Sequence, residues 1–152
     1  MSKPITEYIA ENIETAINAI TEANGFNQDL TAVRRKRIDF KDITPKDGLV
    51  AIMQAGDEKP EQPVSAADWI QKFFLAAFVI DSDKASDSIE TRWAKVRDDI
   101  RKKLNEDIRR GDYALDTIHI AAMPLDDDEF TGILMELDVY YRTQFADPYT
   151  QG

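Results

Sequence analysis

The sequence predicts an α+β fold, with two helices packed on one face of a mostly antiparallel sheet of four or five strands. Three observations carry that expectation. Two segments repeat apolar residues at helical spacing, several others alternate apolar and polar residues, and the order runs helix, strands, helix, strands. At 152 residues the chain suits one domain, expected over 1–152 with an irregular tail at 144–152. Parallel strand pairs remain open.

The first helix is expected over about 4–23. Ile5, Ile9, Ile13, Ala16, Ile17 and Ile20 form its stripe, Pro4 is tolerated in the first turn, and Gly25 offers a stop. A strand follows at about 30–38 and another at about 48–55, with "ITPKDG" turning between them. "GDEKPEQPVSA", 56–66, reads as a loop because it holds two prolines and four charges. "DWIQKFFLAAFVI" is the next strand, about 68–80. Its two parities, Trp69, Phe73, Leu75 and Val79 against Ile70, Phe74, Phe78 and Ile80, are both apolar. Helices cover one face only. The other is expected to need a neighbouring subunit, or else the 56–66 loop or the C-terminal tail.

"DSDKASDS" supplies N-cap candidates for the second helix, about 87–109, whose stripe is Ile89, Trp93, Val96, Ile100, Leu104 and Ile108. "ALDTIHIAAM" is a strand and "PLDDDEF" a loop. "TGILMELDVYYRT" is the last strand, with Ile133, Met135, Leu137, Val139 and Tyr141 on one face and Glu136, Asp138 and Arg142 on the other.

The formal charge is −10, and it is segregated. From Gly111 onward nine acidic residues face a single cation, Arg142, whereas residues 34–48 carry six cations and three anions. There is no cysteine, so disulfide and thiolate chemistry are excluded. The opening "MSKPITEYIAENIETA" lacks the apolar core of a secretory signal. The longest apolar run, "FFLAAFVI", is well short of the roughly 20 residues needed to cross a bilayer. The expectation is a protein of the cytoplasm, or of something assembled there, with no membrane contact.

No catalytic, cofactor or metal constellation is written locally, and the expectation is that the chain is not an enzyme. His119 is alone, and Asp116, three residues away, points to the opposite face of a strand. "DDDE", 126–129, lacks the spacing, glycine and final glutamate of a calcium loop and reads as a solvated turn. Asp87, Glu90, Asp98 and Asp99 are expected on the exposed side of the second helix, unpaired for acid–base work. In "VRRKRIDF", Arg34 and Lys36 share one strand face, and Arg35 and Arg37 share the other. Two cations per face is a thin footprint for nucleic acid. A solvated edge strand and contact with an acidic neighbour both remain open.

Three segments carry a resemblance: "VRRKRIDFKDITPKDGLVAIMQ", "SIETRWAKVRDDIRKKL" and "ELDVYYRTQFADPYTQ". In this order they resemble the minor tail proteins of tailed bacteriophages, of the tail terminator or tail completion type. The resemblance implies a structural virion protein, assembled in the host cytoplasm and without cofactors. It would form a ring, usually a hexamer, that caps the head-proximal end of the tail tube and meets the head–tail connector. Partners would be copies of itself, the tail tube protein and the neck protein, with genome DNA only as passing cargo. Interface residues would include Arg34, Arg35, Arg37, Phe74, Phe78, Arg142 and Tyr149. A head–tail adaptor or other neck-ring subunit is the near alternative, and a nucleic-acid-binding module the distant one.

Overall fold

In the computed structural model, residues 3–36, 43–80, 85–126 and 131–152 are described. Helix α1 spans Ile5–Asn18 and α2 spans Ile89–Asn105. The strands are β1 (Thr31–Arg34), β2 (Leu49–Glu58), β3 (Asp68–Phe78), β4 (Asp116–Asp126), β5 (Thr131–Gln144) and β6 (Asp147–Gln151). The sheet order is β1-β2-β3-β5-β4, with β6 added to β5. All pairs are antiparallel except β1 with β2. The α+β architecture expected from the sequence is the one observed.

Both helices bury their stripes against one face of the sheet. Ile9, Ile13 and Ile17 of α1 and Val96, Ile100 and Leu104 of α2 share a core with Val50, Ile52, Phe73, Leu75, Met135, Leu137 and Val139. Each such side chain contributes about 1.5–3 kcal/mol on burial, so this shared face is the main source of cohesion. The parity expected for β5 holds, since Ile133, Met135, Leu137, Val139 and Tyr141 are all in this core. Arg142 and Asp138 lie on the other face, opposite Asp68 and Lys72.

Several boundaries moved. Helix α1 ends at Asn18, a turn before the expected 23. The Asn18 Oδ1 accepts from the Ala32 N–H at 2.8 Å, and a 3-10 turn at Glu22–Asn24 follows, capped by Thr21 and stopped by Gly25 at φ 90°. Ser88 is the N-cap of α2, accepting from the Thr91 N–H at 3.2 Å. The helix stops at Asn105 rather than near 109, and Ile108 is left exposed. β2 runs through Glu58 into the segment read as a loop, after a bulge between Gln54 and Asp57. β4 continues past Met123 through Pro124, a residue an edge strand tolerates.

The tail expected to be irregular forms β6. Tyr140 O and Arg142 O face the β4 side of β5, accepting from Leu115 N and Gly152 N. β4 begins at Asp116, opposite Tyr140, so β6 occupies the place on β5 that β4 leaves empty. Unpaired backbone at the end of a long strand supplies the reason.

Candidate assembly surface

The second apolar face of β3 is covered in part within the chain: Ile70 and Phe78 are buried, Phe74 is half-buried and Ile80 is exposed. Ala76 and Phe78 are each 5% exposed, clustered with Leu49 and Ala51. Val33 of β1, Met53, Leu134 and Ile43 pack around them. At Ala76 and Phe78 the cover comes from Ile43 of the β1–β2 connection and from neighbouring strands, while Ile70 lies opposite Glu58 of the 56–66 segment. Phe78 therefore packs inside the chain instead of meeting a partner, while Phe74 stays half-buried beside Met53 and Glu136.

The expected cations are dispersed. Arg34 sits on edge strand β1, and its Nη1 donates to Glu7 of α1 at 2.6 Å. That bond holds the Glu7 carboxyl below its usual range. Arg142 forms a two-pronged pair with Asp68 across the β3–β5 ladder, at 2.5 and 3.2 Å, and so lowers the Asp68 pKa. β2 and β3 separate these two arginines. Arg35 and Lys36 follow β1, each with an interaction of its own. Arg37 lies outside the described residues, as do 127–129 of the acidic turn. Tyr149 is on β6 and 49% exposed.

The surface left open lies elsewhere. Along edge strand β4 and just before it, Leu115, Ile118, Ile120 and Met123 are 37–53% exposed. At the β5–β6 turn Phe145 is 87% exposed. Alternation in "TIHIAAM" hinted at this: Ile118 faces away from the core side on which Thr117 and His119 lie. Phe145 had no signal, because its segment looked irregular. A bulge between His119 and Ala121, together with Pro124, interrupts the free edge of β4. At the opposite edge the Ala32 N–H is already bonded to Asn18. Both edges thus resist strand-to-strand pairing, leaving side chains as the means of contact.

Beside β4 a groove of about 230 Å³ runs under α2, lined by Glu90, Trp93, Ala94, Arg97, Ala122, Met123, Pro124 and Ile133. The Trp93 Nε1–H is sealed from solvent and has no acceptor. Leaving such a donor unpaired costs about 1–3 kcal/mol.

The acidic residues of the outer face gather around one cation. Lys72 Nζ lies 3.2 Å from Asp138, 3.6 Å from Glu58 and 3.8 Å from Glu136. The Asp138 hydrogen bond is the main cause of its raised pKa. Asp99 departs from its expected place. It is buried, not exposed, and accepts from Asn27 N, Asn27 Nδ2 and Gln28 Nε2 at 2.9, 2.9 and 2.6 Å. His119 bonds Asn105 through Nε2 at 3.1 Å, on the face away from Asp116. Burial, then Arg101 and Arg110, lower its pKa. Among the described residues no group of three or more His, Cys, Asp or Glu is arranged to hold a metal ion. No described helix is long and apolar enough to cross a membrane. No family model matches the chain, and no curated protein matches it.

Proposed function

We propose that this chain is a structural subunit of a phage virion. It forms a ring at the head-proximal end of the tail tube, ends tube growth and meets the head connector. One observation carries the reading. Among the described residues, six of the nine large apolar residues left exposed, Leu115, Ile118, Ile120, Met123, Phe145 and Tyr149, lie on or beside edge strand β4 and the β5–β6 hairpin. Exposed large apolar residues gathered along one edge of a sheet favour protein association. The tail-terminator resemblance of the three sequence segments supplies the biological setting.

In that ring the acidic residues of the outer sheet face, Glu58, Glu136 and Asp138, turn toward the channel. There they repel DNA phosphates and let the genome slide. Surface ion pairs contribute only about 0–1 kcal/mol each, so Arg34 and Arg142 orient their own elements, and apolar contacts hold the copies together. The test is electron microscopy of the purified protein mixed with isolated tail tubes of the cognate phage. Rings seated on one end of each tube support the proposal. Bare tubes at saturating protein would overturn it.

A further inference from the structure

We infer that β6 is an exchangeable arm: in the assembly, β6 of one copy pairs with β5 of a neighbour, in the place that its own β6 takes in the lone chain. The inference rests on the reading that this chain assembles with itself, and it names the element that passes between copies.

The occupant of the receiving site is fixed by the fold. β4 begins opposite Tyr140, and among the described residues β6 is the strand that pairs with β5 beyond that point on the same side. A second copy carries the same β6. The pairing formed within one chain can therefore form between chains, with no contact that the sequence does not already make. Exchange of an identical element is for this reason a low-cost route to assembly.

β6 is held lightly. Two register pairs tie it to β5, Thr143 with Gln151 and Gln144 with Asp147, and Pro148, Tyr149 and Thr150 between them have no ladder partner. Gly152 N donates to Arg142 O at 3.1 Å, and Gln151 Nε2 donates to Asp112 O. No side chain of β6 is buried. The space beside it is unfilled, because a cavity of about 400 Å³ is lined by Pro4, Ile5 and Thr6 at the start of α1, by Tyr141 and Thr143 of β5, and by Pro148. The bonds from Tyr149 N and Thr150 Oγ1 to the Asp147 carboxylate lie inside β6 and travel with it.

The hinge favours opening. Phe145 and Ala146 form a two-residue loop between the paired Gln144 and Asp147. Such loops prefer types I′ and II′, which need a positive φ at the first position. Neither Phe145 nor Ala146 has one. Other two-residue turns splay the strands they join, and the ladder does lapse just after Asp147. Short hinge loops of poor geometry invite exchange. Phe145 is 87% exposed in the closed hairpin. With the hinge extended it lies at the crossing of two copies, where apolar area leaves water.

The chain has no cysteine, so an introduced disulfide reports whose β6 lies on whose β5. Residues paired across an antiparallel ladder have Cα atoms about 4.5–5.5 Å apart, within reach of a disulfide. The variant carrying Thr143→Cys and Gln151→Cys is concentrated, oxidised and run on a denaturing, non-reducing gel. The expected result is covalent oligomer in excess of that from either single variant. A dimer marks reciprocal exchange, and a longer ladder marks exchange handed from copy to copy; both support the arm. An internally bridged monomer at every concentration, or oligomer no more abundant than in the single variants, overturns it. As a second measurement, Phe145→Asn and Ala146→Gly are added, giving the loop the pair that type I′ turns prefer. Most of the product is then expected to shift to the internally bridged monomer, and an unchanged product ratio also overturns the arm. Bridged monomers together with capped tail tubes remove the exchange and leave the proposed function standing. Covalent oligomers with bare tubes do the reverse.

Discussion

At the scale of single residues, the buried polar groups are the most sensitive points. Asp99 is nearly sealed from solvent and holds Asn27 and Gln28, which fixes the connection from α1 to β1 onto α2. Asp99→Ala orphans three donors and is expected to cost roughly 2–3 kcal/mol in urea unfolding. A loss below about 0.5 kcal/mol would mean the hub is not formed in solution. Gly132 meets a different constraint. A Cβ there would lie 2.1 Å from the Ala77 carbonyl oxygen, on the adjacent strand. Gly132→Ala is expected to destabilise by about 1–3 kcal/mol, the range for overpacking. Arg110 is fully buried at φ 50°, and its Nη2 donates to the carbonyls of Leu104, in the last turn of α2, and Asp107, just past it. A cation at that position also suits the helix dipole.

At the scale of elements, α2 shows how local sequence sets a boundary and tertiary structure adjusts it. Ser88 caps its start, and Ser88→Ala is expected to lower the thermal stability by about 1 kcal/mol. Gly, in contrast, costs only a few tenths at a cap, so Ser88→Gly is the control. The end of α2 moved because Asp107–Tyr113 forms successive tight turns instead of another helical turn, with Arg110, Gly111 and Asp112 all at positive φ. β6 is the other adjusted element. Removing 147–152 exposes the end of β5, and amide exchange is expected to rise at Arg142, whose carbonyl accepts from Gly152, while Thr143, whose N–H donates to Ala67 O, and Leu137 stay protected.

At the scale of the whole molecule, acid is the informative variable. Burial and the nearby arginines hold the folded His119 pKa below its ordinary value, so the unfolded chain takes up the proton first. The stability this neutral form provides is present above about pH 6.5 and declines as pH falls toward the folded value. Asp68 and Glu7, lowered by hydrogen bonds to Arg142 and Arg34, behave alike but lower on the scale. Their contribution is full above about pH 4 and is lost as pH falls through the depressed folded values. Chemical denaturation from pH 8 to 2 is therefore expected to show two declines. His119→Gln should flatten the first and Asp68→Asn the second. If either substitution leaves its own slope unchanged, the assigned group is wrong.

Periodicity determined much of this protein without any coordinates. Five apolar residues at helical spacing, Ile5 to Ile17, specify α1, and strict alternation specifies the inner face of β5, because buried area per residue is large and its period is set by backbone geometry. The two-faced apolar pattern of β3 was equally visible, yet what covers it was not. That depended on where the β1–β2 connection brought Ile43 and on the sheet order, which follow from long-range packing and leave no periodic trace. The same holds for Arg34 and Arg142, whose positions are local facts and whose partners, Glu7 and Asp68, are distant in sequence. Exposure is the last example: Phe145 is one of seven phenylalanines in the chain, and only the pairing of β6 with β5 sets it at the tip of a hairpin.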